Sequence, residues 1–224
     1  MSNGIKVVKR DGRSEGINLE KVHKMVDLAC EGLAGVSASQ VEIQSGLQFF
    51  DNIETKQIQE ILVRSASDLI TLETPNYQFV AARLLLVGLR KTVHGPPEEF
   101  PQLIDHVQQC VKKGVYDASI LNKYNDEEWD VIDSWIDHDR DYLFTYAGLR
   151  QVVDKYLVQD RSSGEHYETP QEMYMMIAAT LFQNYPQETR LDYVRRYYNA
   201  ISKHRINIPT PIMAGVRTPL RQFA

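Results

Sequence analysis

The sequence predicts a mainly α protein: a four-helix bundle capped by a small β-sheet, followed by a helical domain with one β-hairpin. Three observations carry that reading. Apolar residues recur at three- and four-residue spacing through most of the chain, and hairpin patterns, in which a turn separates two short extended runs, occur at two places. His94-Gly-Pro-Pro97 then interrupts the helical pattern, because Pro-Pro stops a helix and fixes an extended path.

The first hairpin comes from Ile5 to Val8 and from Ile17 and Leu19, which flank Asp11-Gly12, a pair suited to the positive φ of a tight turn. Asn18 is an N-cap for the helix that follows, whose buried stripe is Val22, Met25, Val26 and Ala29, and Gly32 or Gly35 can end it. Ser37 and Gln40 form a capping-box pattern ahead of Val41, Ile43 and Leu47. Ile53 to Thr55 is too short for a full strand but can pair with the hairpin edge, with Thr55 as N-cap of a third helix bearing Ile58, Ile61, Leu62, Ala66 and Leu69. Thr74-Pro75 opens a fourth helix in which Tyr77, Val80, Ala81, Leu84, Leu85 and Val87 are apolar nearly all round; it should lie centrally and end around Arg90-Lys91. Residues 1–95 form the first expected domain.

The second runs over 96–205. Leu103, Ile104, Val107 and Val111 mark a helix that Lys112-Lys113-Gly114 closes, and the acidic turn Asp126 to Glu128 leads into another through Trp129, Val131, Ile132 and Ile136. Tyr156 to Gln159 and Glu165 to Glu168 flank a glycine-ended connection and read as the second hairpin. Pro170 opens a helix with Met173, Met176, Ile177 and Leu181, its methionines read as core filling, and Thr189 to Ile201 is amphipathic. The tail 206–224 carries three prolines that forbid a helix, so an extended, interrupted segment belonging to a longer chain is expected.

Composition narrows the function. A net charge of −5 argues against a nucleic-acid partner, whose backbone is held by clustered cations. No apolar run approaches the ~20 residues that span a bilayer, and no signal peptide is visible, so no membrane partner is expected and a cytoplasmic location is the default. Cys30 and Cys110 lack metal or redox spacing and read as buried free thiols. Asp137-His-Asp-Arg-Asp141 offers one His among three carboxylates, but consecutive residues rarely converge on one ion; local salt links and helix capping are expected and no metal site is assigned.

The first hairpin carries the candidate site. Lys9 and Arg10 stand where the first strand leaves for the turn, and Asn18 opens a helix with Lys21 in its first turn, so cations and free helix N–H groups suit a polyphosphate. Val8-Lys-Arg-Asp-Gly12 followed by Ile17-Asn-Leu-Glu-Lys21 resembles the opening of the ATP-cone, the regulatory nucleotide-binding module of ribonucleotide reductase large subunits. Pro209-Thr-Pro-Ile-Met-Ala-Gly-Val-Arg-Thr-Pro-Leu-Arg-Gln-Phe223 is similar to the entry into the catalytic barrel of class Ia α subunits. Asp137–Asp141, Lys155–Gln159 and Asn184–Arg190 look like that family's helical domain.

The resemblance implies an oxidoreductase making deoxyribonucleotides, of which this chain holds the activity switch and no catalytic residue. ATP as activator or dATP as inhibitor, with Mg, would be bound by Lys9, Glu15, Gly16, Ile17, Asn18, Leu19, Glu20, Lys21, Thr55 and Lys91, with Arg10 a further triphosphate candidate. Thr210 is implied as a substrate contact once the barrel is present. A radical-generating β subunit and α-subunit self-association are the implied partners. Where close bacterial members place a His four residues after the matching Thr, this chain has Gln59, expected to keep a hydrogen bond but to lose pH sensitivity. Two rival readings are an ATP-cone transcriptional regulator, disfavoured because no four-cysteine zinc ribbon is present, and a structural subunit-docking domain.

Overall fold

A computed structural model describes residues 5–9, 12–46, 48–95 and 100–220. Arg10, Asp11 and Leu47, together with 96 and 97 of the expected domain boundary, lie outside the described residues. The chain divides into two compact units, Met1–Gly88 with Phe144–Arg150, and Leu89–Leu143 with Gln151–Ala224. Among the described residues no helix is long and apolar enough to cross a membrane.

In the first unit, β1 (Lys6–Val8) is the middle strand of a three-stranded sheet. It pairs antiparallel with β2 (Ser14–Gly16) in the register Lys6↔Gly16 and Val8↔Ser14, and parallel with β3 (Ile53–Glu54) in the register Val7↔Ile53 and Val8↔Glu54. Gly12 takes φ +81°, the positive angle the turn requires. Four helices pack beneath: α1 (Leu19–Cys30), α2 (Ala38–Gly46), α3 (Thr55–Asp68) and the first part of α4 (Tyr77–Val93). Val7 and Ile53 bring the sheet into a core with Val26, Val41, Leu62 and Val80. Tyr77 is also buried there, and its hydroxyl accepts from the Ser37 N–H at 3.0 Å and donates to Gln40 at 2.5 Å, so the polar end of a core side chain fixes the start of α2.

Two expectations change here. Glu54, not Thr55, is the N-cap of α3: Glu54 is extended, with φ −74° and ψ 145°, and forms a reciprocal capping box with Gln57, leaving Thr55 as the first helical residue. Residues 144–150, for which no element was predicted, return to this unit as the first half of a helix, α7 (Tyr146–Lys155), and Tyr146 packs on its core.

The second unit contains α5 (Leu103–Lys112), α6 (Asp126–Asp133), the hairpin of β4 (Gln159–Asp160) and β5 (Glu165–His166), α8 (Pro170–Phe182) and α9 (Gln187–Ser202). Asn125 and Glu128 cap α6 reciprocally, and Thr169 and Glu172 do the same for α8, whose Pro170 sits where the lost N–H costs nothing. Met173 and Met175 to Ala179 are buried on every face of α8. The tail is not extended throughout, as expected, but holds a short helix, α10 (Thr210–Gly215). Pro209 falls at its N-cap and Pro211 in its first turn, positions whose N–H groups have no intrahelical acceptor, so neither proline opposes it.

Several buried charges of this unit are paired. Arg217 and Glu168, both fully buried, form a bidentate pair; Tyr116 donates to Glu168 at 2.5 Å and Arg217 donates to the carbonyls of Met213 and Tyr156 at 2.6 and 2.9 Å. Arg90 binds Asp141 at 3.0 Å, with Gln171 donating to the other carboxylate oxygen at 2.9 Å. The Asp137–Asp141 run thus forms local and buried salt links, Arg140 turning to Asp137 at 3.1 Å, as the sequence suggested.

Candidate functional site

The site built from the sequence falls on the small sheet of the first unit and the helix starts it feeds. Because β1 and β3 run parallel and in register at Val8↔Glu54, the residues that follow them, Lys9 and Thr55, leave the sheet side by side, about 5 Å apart across the strands. At the other end of β1, the Ile17 N–H donates to the Ile5 carbonyl at 2.9 Å, placing Gly16 to Asn18 and the start of α1 roughly 10 Å away along the strand. The candidate residues therefore fall into two groups. An elongated ligand with an anionic end and a ring end matches that spread better than a compact one.

Glu15 links the groups. Its carboxylate takes an ion pair from Lys9 at 2.7 Å, and it lies on β2 opposite Val7. Lys9 holds the Glu15 carboxyl below its ordinary range, first through that hydrogen bond and then through its charge, with smaller pulls from Lys21 and Arg13. Lys9, Lys21 and Arg13 thus share one field around an exposed carboxylate. Arg13 is absent from the predicted set; the hairpin brings it back beside Lys9, whose N–H donates to the Arg13 carbonyl at 2.8 Å.

Asn18 spends its side-chain oxygen on the Lys21 N–H at 2.9 Å, the ordinary bond of an N-cap, which sets the direction in which α1 leaves the sheet. Leu19, Glu20, Lys21 and Gly16 are exposed and Ile17 is half-buried. Thr55 and Gln59 stand one turn apart on α3, both half-buried. Gln59 donates to the Leu84 carbonyl of α4 at 2.6 Å and lies flat on Gly88, where an added Cβ would stand 2.9 Å from its Cγ.

The remaining predicted residues are elsewhere. Lys91 lies in the last turn of α4, within the bounds of the second unit. Thr210 is exposed at the first turn of α10, its hydroxyl 3.5 Å from that of Tyr156, and it borders a cavity of about 410 Å³ with Lys155, Arg161 and Pro211. Cys30 and Cys110 are free thiols; burial comes first in pushing both up, Cys110 to about 12.

Residues 5–92 match the family described as ATP cone domain, and residues 142–221 match the all-alpha domain of ribonucleotide reductase. Over all 224 residues the chain is 51% identical to the ribonucleoside-diphosphate reductase 1 subunit alpha of Escherichia coli (strain K12) and 50% identical to the corresponding subunit alpha of Haemophilus influenzae, covering 29% and 30% of their lengths. It is 42% identical over 222 residues to the subunit alpha of Enterobacteria phage T4, covering 98% of this chain and 29% of that protein. The chain thus spans less than a third of the length of these curated relatives. Carrying both domains in that order and matching those subunits along the whole of its own sequence, the chain belongs to the ribonucleotide reductase alpha-subunit family.

Proposed function

We propose that the first unit is the nucleotide-operated activity switch of a ribonucleoside-diphosphate reductase, binding ATP as activator or dATP as inhibitor, with Mg on the phosphates. The observation that carries this is the Lys9–Glu15 ion pair beside the start of α3, at one end of a sheet whose other end opens α1 with Lys21 in its first turn. Lys9 and Lys21, with Arg10, neutralise phosphates; Thr55 donates to one; Glu15 to Asn18 read the adenine edge. In the complete enzyme, which reduces ribonucleotides with a radical-generating β subunit, the switch is a coupling free energy. A nucleotide inhibits only by binding the inhibited assembly better than the active one. The match to the ATP cone domain supports this reading over a purely structural docking role.

Calorimetric titration of the chain with dATP and with ATP in magnesium buffer tests it. Saturable binding that weakens tenfold or more in Lys9→Ala is expected; a folded chain that binds neither nucleotide overturns the assignment. Gln59 cannot become a cation, so the ATP/dATP affinity ratio should stay flat between pH 6 and 8. One lost contact can shift that ratio tenfold, which is only ~1.4 kcal/mol. A ratio that titrates with an apparent pKa near 6.5 would contradict the role given to Gln59.

A further inference from the structure

Three ionisable side chains from separate segments meet inside the second unit. His94 follows the last turn of α4, His106 is on α5, and Glu172 is in the first turn of α8. Nε2 of His94 and Nδ1 of His106 stand 3.0 and 3.8 Å from the same oxygen, Oε1 of Glu172. Their side chains are 7%, 6% and 4% exposed, and one ligand atom from each lies within 4.8 Å of the others.

The hydrogen bonding of this cluster is unlike that of the other buried ion pairs. Oε2 of Glu172 accepts from the Thr169 N–H and hydroxyl at 2.7 and 2.8 Å. Nε2 of His94 is fully buried yet makes no hydrogen bond, because its 3.0 Å approach to Oε1 lies off the direction in which an N–H would point. A buried ring nitrogen left in that state is destabilising unless something else binds it. On His106 the opposite nitrogen, Nε2, is 3.5 Å from Sγ of Cys110, whose thiol donates to the Tyr167 carbonyl at 3.5 Å. With its proton given to that carbonyl, the sulfur can only accept, which favours the tautomer of His106 protonated on Nε2. The lone pair of Nδ1 then faces Glu172.

We propose that His94 Nε2, His106 Nδ1 and Glu172 Oε1 form a binding site for a divalent first-row cation, zinc above all, with water as fourth ligand. Ligand atoms about 2.0–2.1 Å from a tetrahedral ion stand roughly 3.4 Å apart, and the 3.0 and 3.8 Å contacts bracket that edge. Two imidazoles and a carboxylate are a donor set zinc uses, and the Cys110 contact is the kind of outer support that orients a ligating imidazole. An ion here is the positive partner the buried carboxylate needs, and it ties the end of α4 to α5 and α8. Loading draws the three groups together by up to about 1.4 Å, since the widest separation allowed by 4.8 Å exceeds a tetrahedral edge of roughly 3.4 Å.

The test is a titration of the chelator-treated chain with Zn²⁺ against a chromophoric competitor, followed by Co²⁺ in place of zinc. One equivalent of zinc is expected, weakened at least tenfold in His94→Ala and in Glu172→Gln, and unchanged in His23→Ala, which removes an exposed histidine of the first unit. Cobalt should give the intense visible bands of a tetrahedral site without a thiolate charge-transfer band. Zinc binding no tighter in the unmutated chain than in His94→Ala, or a cobalt spectrum that stays that of the hydrated ion, overturns the site and leaves an imidazolium–carboxylate pair. A thiolate band overturns the ligand set. If a variant fails to fold, the stoichiometry and cobalt spectrum of the unmutated chain decide.

Discussion

Gly88→Ala tests how α3 and α4 are locked together beneath the proposed effector site. Within a helix, alanine in place of glycine is worth about 0.5–1 kcal/mol in the folded state. Here the new Cβ would stand 2.9 Å from Cγ of Gln59, closer than carbon atoms pack, and at ordinary contact distance, 3.5 Å, from its Cδ. Gln59 must then turn away, giving up its 2.6 Å bond to the Leu84 carbonyl, at about 0.5–1.5 kcal/mol. Holding the side chain off its rotamer adds a similar amount. The substitution should therefore be neutral or destabilise by up to about 2 kcal/mol, whereas in a Gln59→Ala background the same change should stabilise by about 1 kcal/mol. Urea unfolding of the four proteins measures the coupling, expected at about 1–3 kcal/mol. Additivity within about 0.5 kcal/mol would refute the contact.

Two further changes probe the charges of the second unit. Glu168→Gln leaves the fully buried Arg217 guanidinium without its counter-charge and should cost about 3–5 kcal/mol in urea unfolding; a loss below about 1 kcal/mol would show that the pair is not the anchor described. Burial alone would raise the carboxyl of Glu128, but the bidentate Arg190 and the Asn125 N–H hold it below its ordinary value. Its folded pKa is thus depressed, so its contribution, about 1.5–3 kcal/mol, is complete above the unfolded value of ~4.3 and fades as pH falls through the folded one. The stability advantage of the wild-type chain over Glu128→Gln should shrink between pH 5 and 2.5, and a constant difference would contradict this.

Elements with local signals were legible. Asn18 caps α1 and Pro170 opens α8 where the sequence placed them, and the Ile53–Glu54 segment does pair with the hairpin edge. What escaped depends on partners far along the chain. Tyr146 to Lys155 begins with a polar and glycine-containing turn, so its apolar stripe of Leu149, Val152 and Val153 is short, and its first half is fixed by packing on a core whose last residue, Leu84, lies far earlier in the chain. Thr55 was misplaced by one residue because a Glu at N-cap is uncommon, and only the reciprocal Gln57 bond reveals it. In the candidate site, the residue types were legible and the pairing of Lys9 with Glu15 was not, since strand register decides which side chains meet. His94, His106 and Glu172 lie on separate helical segments that only tertiary packing brings together. Asp137–Asp141, by contrast, are adjacent in sequence but turn to separate partners.

The two units also differ in what makes their packing specific, and this bears on the tail. In the first, the buried set is mostly aliphatic, and a helical or strand period is enough to find it. In the second, segments with little apolar surface are held by directed polar contacts. The six residues of α10 bury one large apolar side chain, Met213, and could not persist as a helix alone. They are fixed because Arg217, just beyond, donates to the Met213 and Tyr156 carbonyls and binds Glu168, while its own carbonyl accepts from the Asp117 N–H at 2.9 Å. A buried arginine is a poor source of net stability but a stringent one of geometry, because every donor must find its acceptor. Substituting it should therefore free the whole segment after Pro209, not merely weaken one contact, and the Glu168→Gln variant should show the same release as faster proteolysis within 206–220.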